Sequence, residues 1–102
     1  MKNDEAIQRL MIEFGYPLRG AILVWDKLEN ISSTLTPDFT LWWEQGKLPD
    51  IEINGYKFDQ LIAEHRMNPI AAFLTLDWLI REPQAAQESL KKGHDQIIRS
   101  NK

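Results

Sequence analysis

From Pro69 to Ile80 the chain reads Pro-Ile-Ala-Ala-Phe-Leu-Thr-Leu-Asp-Trp-Leu-Ile, with Thr75 and Asp77 the only polar side chains after the proline. A helix with one dry stripe lies on a surface, whereas a helix dry on every side must be covered by its neighbours. The run is shorter than the ~18–20 apolar residues of a membrane span, and His65-Arg66 and Arg81-Glu82 flank it. We read it as the central buried helix, about 69–80, of a small mainly α domain. At 102 residues the chain is expected to form a single globular domain, 1–102, with one core. Its last few residues, about 99–102, are expected to fray.

The covering elements read as short helices. Asn3 as cap, Asp4 and Glu5 in the first turn, and Ile7, Leu10, Met11 and Phe14 at helical spacing predict a helix over 3–14. Gly15 and Pro17 stop it. Residues 18–31 admit two readings. Leu18, Ala21, Ile22, Trp25 and Leu28 fit a helical stripe, while Ala21-Ile-Leu-Val-Trp25 could also be a buried strand. Helix is favoured because the periodicity runs on to Leu28 and Ile31. Thr36-Pro37-Asp38 then reads as N-cap, N1 and an acidic first turn, opening a helix to about Gln45 that carries Phe39, Trp42 and Trp43 on one side.

Ile51-Glu-Ile-Asn-Gly-Tyr-Lys-Phe58 is a hairpin signal, because Asn54-Gly55 suits a two-residue turn with positive φ at both positions. The register pairs Ile53 with Tyr56 and Ile51 with Phe58, leaving Glu52 and Lys57 on the other face. Asp59 reads as the next cap, behind Phe58 as a hydrophobic staple, and the helix it opens continues to His65 or Arg66. Asn68-Pro69 launches the central helix, and Glu82-Pro83 breaks it. Ala86, Leu90, Gly93 and Ile97 form a thinner stripe on a last helix, where Gly93 either permits close packing or ends the helix early. The expected architecture is five or six short helices around 69–80, with one β-hairpin at about 51–58.

Several kinds of chemistry find no support. Without cysteine there are no disulfides, thiolate sites or cysteine nucleophiles. The glycines lie apart, no phosphate-cradling loop or Gly-x-Ser-x-Gly occurs, and no Ser/His/Asp set stands out. His65 and His94 are the only histidines, and their distance in sequence gives a metal site little support. No catalytic residue, no metal and no cofactor is expected, and the chain is read as a non-enzyme. The N-terminus lacks the unbroken apolar run of a secretion signal, so a cytoplasmic protein away from membranes is expected.

Four constellations remain. Asp77, on an otherwise dry helix, needs a partner, and Arg81 one turn on is available, which makes a possible buried polar pair. Helices 59–66 and 69–80 have the lengths of a helix–turn–helix. Yet 68–80 contains no Lys or Arg, and Ile70, Ala71, Ala72 and Phe73 offer nothing to bases. Lys91, Lys92 and Arg99 make the C-terminal segment slightly basic, although the whole chain has a formal charge of −3, which disfavours nucleic acid. Finally, Trp42, Trp43 and Tyr56 sit among Asp38, Glu44, Asp50, Glu52 and Asp59. Tryptophan and tyrosine are enriched in interface hot spots, though both indoles could instead complete the core. The favoured reading is a small cytoplasmic protein-binding or regulatory module acting through this aromatic surface on another protein or on itself as a homodimer. The alternative is a nucleic-acid-binding regulator using helices 59–80 and the basic C-terminal segment.

Overall fold

The computed structural model describes residues 2–100, and the side chains of residues 4–94. Among these residues the protein is mainly α, with six helices and one two-stranded antiparallel hairpin. In chain order they are α1 (Lys2–Phe14), α2 (Leu18–Glu29), α3 (Thr36–Gln45), β1 (Glu52–Ile53), β2 (Tyr56–Lys57), α4 (Phe58–Ala63), α5 (Pro69–Arg81) and α6 (Pro83–Ser100). The chain divides into two compact units, residues 1–31 and 32–102.

In the first unit α1 packs on α2. The first helix begins at Lys2, so Asn3 lies inside the first turn and is not its cap. Gly15 ends it at φ +74°, and the Tyr16 N–H donates back to the Leu10 carbonyl at 3.3 Å. Residues 18–29 are helical. Ala21 and Leu28, seven apart and therefore on one face, are both buried, as a helical stripe requires. Met11, Ile12, Leu18, Ile22 and Leu23 remain exposed.

In the second unit α5 is the hub, packed by α4, α6 and β1. Asn68 caps it, accepting from the Ala71 N–H at 2.7 Å, and Pro69 follows as the first helical residue. Ile70, Ala72, Phe73, Leu76 and Leu79 are buried. Burial is not complete all round, however: Trp78 is exposed, and Leu74 and Ile80 are half-buried. Phe73 brings the core together through Phe39, Trp42 and Phe58, with ring centres 5.2, 5.4 and 4.8 Å away. The chain leaves the helical region at Glu82 (φ −138°) and Pro83 starts α6. Gly93 lies inside α6 and a Cβ there would meet nothing within 4 Å, so neither expected role for this glycine applies.

Two caps differ from the sequence reading. Thr36 is already helical and Leu35 precedes it. The turn from Ser32 supplies the carbonyl that accepts from both the Leu35 and Thr36 N–H groups, so no side-chain cap is needed. In the hairpin, Glu52 pairs with Lys57 and Ile53 with Tyr56, and Asn54 and Gly55 have φ +50° and +88°. Phe58 enters α4 at once, so the predicted Ile51–Phe58 rung does not extend the strands. Lys57, not Asp59, therefore stands at the cap, and its N–H donates to Gln60 Oε1 at 3.3 Å. The turn is also fastened to the hub, where Asn54 Nδ2 donates to the Leu79 carbonyl at 2.8 Å.

Candidate functional site

Gly46 closes α3 in the left-handed region, φ +71°, and the chain runs on to β1 without regular structure. This segment and the start of α4 border an open groove of about 470 Å³, lined by Leu48, Pro49, Asp50, Ile51, Lys57, Phe58, Asp59 and Ile62. Its size falls in the range of ligand-binding clefts, roughly 300–1,000 Å³. Phe58 is buried, Ile51 and Ile62 are half-buried, and Leu48 keeps 68% of its surface exposed. Five apolar side chains thus share the groove with three exposed charges, the carboxylates of Asp50 and Asp59 and the Lys57 ammonium.

The three aromatic residues expected at a binding surface fall into different settings. Trp42 is 7% exposed and sits on Phe73, so it belongs to the core and cannot be a protruding anchor. Trp43 is half-buried and stacks on Phe39 with centres 5.8 Å apart. One helical face holds only a limited set of rings, and Phe39 and Trp42, three apart, fill it. Tyr56 is half-buried and lies edge-on to His65 at 5.9 Å.

Asp77 and Arg81 do pair, Nε to Oδ2 at 2.9 Å, with side-chain exposures of 16% and 54%. The pair straddles the surface and is not buried. The other carboxylate oxygen accepts from the Ser32 N–H at 2.8 Å, so Asp77 ties the chain ahead of α3 to α5. Ile70, Ala72 and Phe73 are fully buried and Ala71 is half-buried, so three of these four side chains at the start of α5 face the core. Lys91 and Lys92 are exposed on α6. The Arg99 and Ile97 side chains lie outside the described residues.

The contact that sequence spacing conceals joins the two histidines. His65 follows α4 and His94 lies on α6, with ring centres 5.0 Å apart and planes at 42°. Tyr56, Gln60, Glu64 and Lys91 complete an opening of about 270 Å³ beside them. A crevice of about 210 Å³ also reaches His65, among Met67, Thr75, Trp78, Ser89, Leu90 and Gly93. Burial lowers the pKa of His65, the neighbouring His94 lowers it further, and Glu64 opposes both. The Nδ1 atom of His94 is buried and has no hydrogen-bond partner. One sequence signal did point here: Ala86, Leu90 and His94 recur every four residues, which puts an imidazole on the apolar stripe.

Among the described residues no three ligand-type side chains converge on a metal position. No helix of the described residues is long and apolar enough to cross a membrane. Comparison with protein-family models, characterised proteins and solved structures finds no match to this chain.

Proposed function

We propose that this is a small cytoplasmic, non-enzymatic protein-binding module whose working surface is the groove between residues 48–51 and the start of α4. What supports the reading is the groove itself, open to solvent, with Leu48, Ile51, Phe58 and Ile62 in its lining. Apolar surface left open beside polar side chains is characteristic of sites that receive another protein. The occupant we propose is a short segment of a partner protein carrying a large apolar side chain next to a Lys or Arg. The apolar group fills the groove and the cation meets Asp50 or Asp59. Such rim charges select the partner and speed encounter more than they add affinity.

Selection of a short-peptide library against the folded protein tests this. The expected winners carry an apolar residue beside a basic one and lose binding to Leu48→Asp. Because Leu48 is exposed, that substitution should change stability by no more than about 0.5 kcal/mol. The proposal fails if the winners lack a basic residue, or if they bind Leu48→Asp as well as the parent.

A further inference from the structure

We propose that His65 and His94 form a proton-operated latch, which holds the C-terminal part of α6 against the end of α4 at neutral pH and releases it in mild acid. α6 buries Ala86 and Leu90, and His94, one turn further on, is the last described side chain on that stripe. Lys91 and Lys92, between Leu90 and His94, are exposed. The described grip on this part of the helix is thus the contact between the two imidazoles.

Two features make that contact sensitive to protons. A protonated imidazole carries a hydrogen on both nitrogens. His94 Nδ1 is buried without a partner, so the imidazolium would hold a buried donor with no acceptor, whichever neutral tautomer it began from. Two imidazolium rings 5.0 Å apart would also repel each other.

The surroundings give little compensation. The β2 residue there is Tyr56. From the end of α4 come Gln60 and Glu64, the latter the one anion among the described residues that line the opening, and from α6 comes the cation Lys91. α5 contributes Thr75 and Trp78, and α6 also Ser89, Leu90 and Gly93, all without charge. The side chain of Asp95 lies outside the described residues. With both histidines protonated, three cations face a single carboxylate among the described residues, and outward movement of α6 relieves both strains. Release widens the crevice at Met67, Trp78 and Leu90 and exposes apolar surface that neutral pH keeps closed.

Amide hydrogen exchange of the full chain from pH 7.5 to 5.0, corrected for intrinsic rates, reads this directly. Amides of residues 91–94 should lose protection by about tenfold per pH unit for each proton taken up on release, and at every pH they should exchange faster than those at the centre of α5. His94→Phe keeps a ring but removes one of the two protons and the repulsion between the rings, so its α6 protection should fall less steeply with pH than the parent's. The same pH-dependent loss in His94→Phe, or none in the parent, would overturn the proposal. Ring-to-ring NOEs in the parent protein give a second reading that needs no substitution. They should be present at pH 7.5 and gone at pH 5.0, and their survival with both imidazoles protonated would also sink the latch.

Discussion

His65 shows how one side chain can make stability depend on pH. Burial and the neighbouring His94 hold its pKa below the ordinary 6.5. The unfolded chain, with the ordinary value, therefore binds the proton more readily than the folded one. Stability is complete above about pH 6.5, falls as the pH drops below that value, and stops falling once the folded pKa is passed. Urea titrations with chelator present, repeated between pH 8 and pH 5, should show the midpoint declining in that window. His65→Phe should flatten the decline. Asn54 also acts beyond its neighbours. It supplies the positive φ that its turn needs, and its amide reaches the Leu79 carbonyl. The first role is legible in the Asn-Gly pair, whereas the second requires knowing that the hairpin lies against α5.

At the scale of elements, signals contained within a few residues were readable. Asn68-Pro69 opens α5, Gly15 and Gly46 end helices, and Pro83 begins a new one, because each acts on its immediate backbone. Thr36 and Asp59 misled for a related reason. Their chemistry suits a cap, but a preceding turn at Ser32 and the hairpin exit at Lys57 had already satisfied the helix starts. Trp42 and Trp43 could not be told apart by sequence, since adjacent residues differ only in which way they face a core not yet located. The same limit hid the groove at Leu48, in a segment without periodicity, and the pairing of His65 with His94. Gly93 makes an element-scale prediction. It sits within α6 and its missing Cβ would meet open space, so the glycine costs helix stability without serving any close contact. Gly93→Ala should stabilise the protein by about 0.5–1 kcal/mol, seen as a higher urea midpoint with an unchanged slope.

Within each unit much of the packing follows the order of the chain, although β1 and the α3 rings Phe39 and Trp42 reach across to α5. α1 meets α2, β1 meets β2, α4 meets α5, and α5 meets α6. An amphipathic stripe is easiest to satisfy with the next element along, which explains why the mainly α architecture could be read from local patterns. The division into residues 1–31 and 32–102 is a different kind of fact, since it depends on which stripes find each other and no single segment encodes it.

The bond from the Ser32 N–H to Asp77 also departs from that neighbour-to-neighbour order and reaches further along the chain, spanning 45 residues. Its meaning is kinetic. Chains dominated by local contacts fold quickly because little loop entropy is spent before contacts form, and a tie this distant is expected to close after the rate-limiting step. An interaction absent from the transition state governs how long the native state lasts and leaves the speed of its formation nearly unchanged. Asp77→Ala should therefore raise the unfolding rate by roughly 10–100-fold, the equivalent of losing a charge-assisted hydrogen bond, while the folding arm of the chevron hardly moves. The carboxylate at position 77 acts as a clasp on the lifetime of the folded chain.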